Sequence, residues 1–157
     1  AREEGKGLII LANKSDLITA DIKKEKELEI KAVLQFCDFA PILFTSAKTR
    51  SQLPKLFKLI ETVQRNRNRR LAMRDIRRWF EGSIQRLPSR ALAKCKFITQ
   101  AEQVPPTFVF FVRRPKDVDV SQLRYLENSL RQTFAFEGTP IRLLTKQDGE
   151  ERERKRR

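Results

Sequence analysis

Histidine is absent from the 157 residues; cysteine (two), glycine (five), methionine, tryptophan and tyrosine (one each) are scarce. Without histidine, and with Cys37 and Cys95 isolated from one another, the chain offers neither a zinc-ligand spacing nor a Cys–His catalytic pair. Both cysteines read as small, semi-buried apolar residues of a reducing compartment. The apolar runs are far shorter than the ~20 residues that cross a bilayer, and no secretory signal is visible. With so few glycines, no Gly-x-x-x-x-Gly-Lys-Ser/Thr loop occurs, nor an Asp-x-x-Gly. The cradle that phosphoryl transfer requires is therefore not in this chain. Because the first residue is not Met and an apolar strand follows almost at once, the chain is expected to be the carboxyl-terminal piece of a longer protein.

What is plentiful is positive charge. The formal net charge is +14, and it is unevenly spread. Residues 1–62 carry 11 basic and 9 acidic side chains, residues 63–98 carry 11 and 2, and residues 99–157 carry 12 and 9. The middle block starts at Arg65-Asn66-Arg67-Asn68-Arg69-Arg70 and continues through Arg74, Arg77, Arg78, Arg86, Arg90, Lys94 and Lys96. Arginine at this density repels itself unless an anion faces it, and RNA phosphate is the usual partner. A solvated helix face is the plain alternative, but few acids stand nearby to pair with the arginines. An anionic membrane fits less well, because no exposed aromatic–leucine face accompanies the charge.

The apolar run Leu8-Ile9-Ile10-Leu11-Ala12 leads directly into Asn13-Lys14-Ser15-Asp16. A strand ending in Asn-Lys-x-Asp is the way P-loop GTPases select guanine. The Asp carboxylate accepts two hydrogen bonds from N1–H and the exocyclic amine, a donor pair that adenine lacks. The Asn amide reaches N7 and ties the loop together, and the Lys stem lies across the purine face. Such a site rejects the wrong base because its polar groups would be left unpaired. Four residues alone could equally form an ordinary polar turn. A second element strengthens the reading: the short strand Pro41-Ile42-Leu43-Phe44 runs into Thr45-Ser46-Ala47-Lys48-Thr49, where GTPases place a second guanine loop. There the Ala backbone N–H meets guanine O6 and the Lys flanks the base. Between the loops, Ile22, Leu28, Ile30, Val33, Leu34 and Phe36 alternate with charged residues as an amphipathic helix does. After Lys48, Leu53, Leu56, Phe57, Ile60 and Val63 mark a second helix. Strand, loop, helix, strand, loop, helix is the last third of a doubly wound α/β GTPase, with both loops at the carboxyl ends of strands. Lacking phosphate and switch residues, the chain by itself is expected not to hydrolyse GTP.

Residues 64–70 contain no apolar side chain and read as a linker. A helix with the stripe Ala72, Ile76, Trp79, Phe80, Ser83 and Leu87 follows, stopped by Pro88. Trp79 lies on that stripe and reads as a core anchor rather than a base-stacking platform. Lys94–Thr99 alternates like a strand, Gln103–Pro106 is a turn, and Thr107–Val112 is a β-rich buried strand. Ser121 is a plausible N-cap for a helix carrying Leu123, Leu126, Leu130 and Phe134, with Gly138 beyond its end. Pro140–Leu144 is a last strand. The order α-β-β-α-β predicts a small α+β sandwich with one three-stranded sheet. Residues 147–157, with no apolar side chain, are expected to be disordered.

Three stretches, Val104–Val112, Leu123–Asn128 and Phe136-Glu137-Gly138-Thr139-Pro140-Ile141-Arg142, resemble the C-terminal KH-like domain of the Der (EngA) tandem GTPases. Asn13–Asp16 and Thr45–Lys48 fit the second GTPase domain of that family. The resemblance spans about Gly5 to Leu144. It implies an α/β partial P-loop GTPase domain (1–64), a KH-like domain (65–146) and a charged tail (147–157). It also implies guanine-contacting roles for Asn13, Lys14, Asp16, Ser46, Ala47 and Lys48, with GTP or GDP and Mg²⁺ held by the parent protein rather than stably by this piece. The implied work is assembly of the large ribosomal subunit. The implied partners are large-subunit ribosomal RNA, the pre-ribosomal particle and the protein's own upstream GTPase domain; no membrane is implied. The implied location is the cytoplasm or an organelle stroma or matrix.

A standard KH domain clamps the nucleic-acid backbone with a Gly-x-x-Gly loop, and residues 65–146 contain none. Binding would instead rest on phosphate contacts from Arg67, Arg69, Arg70, Arg74, Arg77, Arg78, Lys94 and Lys96, with weak sequence preference and steep salt dependence. Phe108, Phe110 and Phe111 could form a stacking platform, although their apolar neighbours suit a core better. Tyr125 and Asn128 could serve RNA or an interdomain surface. Two other functions fit parts of the pattern. One is a protein-interaction module regulated by a GTPase domain. The other is a GTPase of tRNA modification, against which the Val104–Arg142 region argues.

Overall fold

The computed structural model describes residues 4–87 and 89–148. The chain divides into two compact units, one of residues 4–67 with Phe136–Pro140 and one of Asn68–Ala135 with residues 141–148. Each is described on its own.

In the first unit, β1 (Ile10–Ala12) and β2 (Ile42–Phe44) pair in parallel, with Ile10 opposite Ile42 and Ala12 opposite Phe44. Parallel neighbours require a crossover, since no tight turn can bring a strand back in the same direction. The crossover here contains α1 (Ala20–Val33) and a 3₁₀ turn at Gln35–Cys37. Cys37, Phe39 and Ala40 form a small core with Leu8, Ile10 and Leu34 packed against it. α2 (Leu53–Arg67) follows β2 and runs through residues 64–67, so the polar stretch expected to be linker starts as the last turn of a helix. Its first turns leave apolar side chains in solvent: Phe57 is 63% exposed and Ile60 46%. α1 buries none of its side chains, and Leu28 and Val33 are 69% and 77% exposed. The apolar stripes foreseen for both helices exist, yet within the described residues most of each stripe meets no core.

Phe136–Pro140 completes this unit, although the sequence reading groups it with the second domain. The Leu8 N–H donates to the Gly138 carbonyl and the Gly138 N–H donates to the Phe39 carbonyl, both at 2.8 Å. Asn66 Nδ2 donates to the Glu137 carbonyl at 3.0 Å and Thr139 Oγ1 to the Val63 carbonyl at 3.3 Å. Phe136 and Thr139 are buried.

The second unit is built on a three-stranded sheet of order β3-β4-β5, with β3 (Phe97–Glu102) antiparallel and β5 (Arg142–Gln147) parallel to the central β4 (Thr107–Val112). Every residue of β4 is buried, as befits a central strand covered on both faces. All three phenylalanines of this strand are core residues, so none is a stacking platform. α3 (Met73–Ile84) turns Ile76, Trp79 and Ser83 inward and sets Phe80 against Phe110, ring centroids 5.5 Å apart. Trp79 is a core anchor as expected, and its indole N–H donates to Ser129 Oγ at 3.1 Å. α5 (Val120–Phe134) makes the crossover between the parallel strands and buries Leu126 and Leu130.

Four boundaries differ from the sequence reading. α3 ends at Ile84 with Gln85 as its C-cap, so Leu87 lies past the helix rather than on its stripe. The N-cap of α5 is Asp119, not Ser121, because Asp119 forms a capping box with Gln122. Lys94-Cys95-Lys96 precedes the sheet: a single turn, α4 (Arg90–Ala93), ends with Lys94 as its C-cap, and β3 starts at Phe97. β5 starts at Arg142 and continues to Gln147. Of residues 147–157, foreseen as disordered, Gln147 is instead the last residue of β5, opposite Val112, and the Asp148 N–H bonds the Val112 carbonyl; the rest lie outside the described residues.

Candidate functional site

Asn13 follows β1 and Ala47 follows β2, at adjacent carboxyl ends of the parallel pair. Three hydrogen bonds lock the two loops together. The Thr45 N–H donates to the Ala12 carbonyl and the Ser15 N–H to the Thr45 carbonyl, each at 2.9 Å. The Ala47 N–H donates to Asn13 Oδ1 at 3.1 Å. The Asn13 carboxamide thus ties one loop to the other, the role that an Asn at this spacing suits. Lys14 adopts a left-handed conformation (φ 61°), which turns the chain sharply between Asn13 and the 3₁₀ turn Ser15–Leu17. Ser46 is buried, and its Oγ accepts the Thr49 N–H at 3.2 Å, so this side chain shapes the loop. Asn13, Lys14, Asp16, Ala47 and Lys48 are all exposed at the rim. The six residues singled out from sequence therefore gather on one pair of interlocked loops, with Asp16 open to solvent as a free acceptor edge would be. Among the described residues no cluster of His, Cys, Asp or Glu could hold a metal ion.

The basic residues separate into groups. In the first unit, Arg67 is half-buried and its Nε donates to the Gly5 carbonyl at 3.2 Å. In the second unit, Arg69 donates to the Phe134 carbonyl at the end of α5, a cation placed where a helix carboxyl terminus favours one. These two arginines do structural work. Arg70 is exposed, as are Arg74, Arg77 and Arg78 along α3, and Arg74 contacts Asp75 at 3.4 Å. Arg77 and Lys96 line one groove of about 480 Å³, whose walls include Phe80, Leu92, Cys95 and Phe97. Lys96 also pairs with Asp148 at 2.5 Å. Lys94 lines a different cavity, with Arg90, Arg113 and Arg114. Arg113 and Arg114 lie outside the arginine-rich block of the sequence. The sequence signal that could have found them is an Arg-Arg pair immediately after the β-branched and aromatic run Thr107–Val112.

Cys95 is partly buried, and burial pushes its thiol pKa up, away from a reactive thiolate. Its Sγ–H donates to the Phe97 carbonyl at 3.2 Å. No described helix is long and apolar enough to cross a membrane.

Residues 70–146 match the family described as the KH-domain-like of EngA bacterial GTPase enzymes, C-terminal. This stretch belongs to that family. The longer chain is 41% identical over 150 residues to the GTPase Der of Natranaerobius thermophilus, an alignment covering 92% of this chain and 34% of the relative. It is 40% identical over 159 residues to that of Desulfitobacterium hafniense (98% and 36%). A third Der, from Staphylococcus carnosus, is 40% identical over 151 residues (92% and 34%). The chain spans about a third of the length of these curated relatives. The alignments reach beyond the KH-like domain and take in most of residues 4–67 as well.

Proposed function

We propose that residues 1–64 are the guanine-reading part of a P-loop GTPase domain and residues 65–146 an RNA-facing KH-like domain. The whole protein would be a GTPase acting in assembly of the large ribosomal subunit. The observation that carries the nucleotide half is the Asn13–Ala47 hydrogen bond, which couples two guanine-type loops at neighbouring strand ends. In this reading Asp16 accepts from guanine N1–H and the exocyclic amine, Lys14 and Lys48 sandwich the base, and Ala47 presents its N–H to O6. Asn13 and Ser46 hold the loops in shape. The exposed apolar stripes of α1 and α2 support the same reading, since they are the faces that further strands of a GTPase sheet would cover.

The sequence carries no Gly-x-x-x-x-Gly-Lys-Ser/Thr loop, and among the described residues no His, Cys, Asp or Glu cluster could hold a metal ion. GTP or GDP and Mg²⁺ are therefore assigned to the parent protein, and the isolated chain is inactive as a hydrolase. Large-subunit ribosomal RNA, the pre-ribosomal particle and the upstream GTPase domain are the proposed partners. The bacterial relatives support a cytoplasmic setting.

The nucleotide assignment is tested by Asp16→Asn in the full-length gene product. Xanthine carries a carbonyl where guanine carries the exocyclic amine, so an amide donor in place of the carboxylate inverts the complementarity. The variant is expected to lose GDP affinity by at least about a hundredfold and to gain XDP affinity, because a polar site left unpaired loses several kcal/mol. Unchanged GDP affinity rules out Asp16 as the guanine acceptor.

A further inference from the structure

Arg90 and Lys94 on either end of α4, and Arg113 and Arg114 at the exit of β4, line one cavity of about 230 Å³ with Ala91 and Asp117. Four cations against a single carboxylate leave three formal positive charges around this space. All four basic side chains are exposed, and none is in an ion pair within 4.0 Å among the described residues. Like charges so placed repel one another and weaken the fold unless an anion sits among them.

The backbone beneath the charges is fixed from both sides. The N-cap of α4 is Ser89, buried, whose Oγ accepts the Leu92 N–H at 3.2 Å and donates to Gln122 Oε1 at 3.0 Å. Leu92 itself is fully buried. On the other wall, the Lys96 N–H donates to the Phe111 carbonyl and the Asp148 N–H to the Val112 carbonyl, which anchors the strand right up to Arg113. The Asp117 N–H donates to the Arg114 carbonyl at 3.1 Å and closes the following turn. The cations therefore project from a preorganised frame, which spares a ligand the cost of ordering it.

We infer that this cleft is a phosphodiester-binding site that seats the RNA backbone, separate from the arginines of α3. The inference rests on the RNA-facing reading of the KH-like domain. Arginine forks grip phosphate oxygens in pairs, and two Arg from one wall meet an Arg and a Lys from the other. The lining has no aromatic ring to stack on a base and no Asn or Gln to read a base edge. It suits the backbone and carries no sequence preference. In a domain without a Gly-x-x-Gly loop, it supplies a fixed backbone clamp by other means.

The test compares the 157-residue chain with the pairs Arg113→Gln/Arg114→Gln and Arg90→Gln/Lys94→Gln. Filter binding to large-subunit ribosomal RNA is measured between about 50 and 200 mM KCl, the range over which phosphate contacts reveal themselves. Each pair is expected to weaken binding by about tenfold or more at the low-salt end. It is also expected to flatten the log K against log salt slope by about 0.7–0.9 per lost contact. In parallel, wild-type protein is titrated with inorganic tripolyphosphate while the arginine Nε–H resonances are followed, and Arg113 and Arg114 should shift and saturate. Wild-type binding that both pairs leave unchanged in affinity and slope overturns the cleft while the RNA reading stands. No RNA binding by the wild type, with Arg113 and Arg114 still saturating, overturns RNA as the ligand and leaves a phosphate site. No response in either experiment overturns both.

Discussion

Val63 fills the space beside Gly138: a Cβ built on Gly138 would overlap Val63 Cγ2 and lie 3.2 Å from the Leu8 carbonyl. Gly138 also has φ +71°, a conformation that L side chains adopt at a cost of about 1–2 kcal/mol. Both glycine properties are used at once, the missing side chain and the left-handed backbone. They let Phe136–Pro140 come close enough for its amide and carbonyl to bond Phe39 and Leu8.

Gly138→Ala is therefore expected to destabilise the first unit by about 2–5 kcal/mol, the sum of backbone strain and overpacking. Adding Val63→Ala should recover the overpacking part and leave the strain. A double-mutant cycle by urea unfolding reads the coupling directly. A Gly138→Ala loss below about 0.5 kcal/mol would mean the loop simply moves aside.

The Asn13–Ala47 bond makes a local prediction that needs no nucleotide. Asn13→Ala removes the acceptor of the Ala47 N–H, and the amide should exchange with solvent markedly faster in deuterium exchange. Asn13→Asp keeps an oxygen at the same place and should preserve protection. The stability change is modest, about 0.5–1.5 kcal/mol, because the bond is exposed and water replaces it. Equal exchange in all three proteins would show that the strand-end backbone bonds hold the loops without Asn13.

Within the KH-like unit, Ser129 is the hinge of a small polar network. Its Oγ accepts the Trp79 indole N–H and lies 2.8 Å from Ser83 Oγ. Ser129→Ala leaves two poorly solvated polar groups without a partner, a loss of about 1–3 kcal/mol. Trp79 is the chain's single tryptophan, so its fluorescence reports both the altered surroundings and the unfolding midpoint. A midpoint that does not fall would show that water reaches the Trp79 N–H in the folded state.

Much of this architecture is legible in the residues because it is encoded locally. Thr107–Val112 is a run of β-branched and aromatic side chains, and it becomes the buried central strand. Asn13–Asp16 and Ser46–Lys48 follow apolar runs and come to lie side by side, since parallel pairing of those runs leaves them no other place. What escapes a local reading depends on partners distant in sequence. Residues 140–141 have strand-like character, but the bonds from Leu8 and Phe39 to Gly138 pull that segment out of the sheet. Lys94-Cys95-Lys96 alternates like a strand, yet the preceding helical turn claims Lys94. Arg113 and Arg114 join Arg90 and Lys94 only through the fold. Ser121 loses the cap to Asp119 because Gln122 stands three residues after Asp119, a pairing visible in sequence once both ends of the box are checked.

Cys95 should be a slow nucleophile. Burial raises its thiol pKa, so at a given pH less thiolate is present than on an unfolded chain. The protonated form is the one favoured by folding. The associated stability is complete below the unfolded thiol pKa of about 8.5 and declines as pH rises toward the folded value. Between about pH 7.5 and 8.5, iodoacetamide is expected to label Cys95 more slowly than a cysteine peptide, and urea should abolish the difference. Labelling at the peptide rate under native conditions would show that solvent reaches the groove floor freely.

Of the arginines singled out by sequence, those of α3 and Arg70, three residues ahead of that helix, are the ones whose side chains are open to a polyanion. Arg67 and Arg69 are bound to backbone carbonyls within their own units, and replacing them mixes loss of fold with loss of charge. Arg70, Arg74, Arg77 and Arg78 are exposed, so their replacement by Gln isolates the charge. The fourfold variant should keep its unfolding midpoint, bind ribosomal RNA more weakly across unrelated sequences, and lose about 0.7–0.9 of salt slope for each phosphate released. The effect should add to that of the Arg113 and Arg114 pair if the two surfaces touch different phosphates, and fall short of additivity if they share one. Unaltered affinity in the fourfold variant would remove α3 from the RNA-facing surface and leave the cleft at Arg90, Lys94, Arg113 and Arg114 to carry the contact.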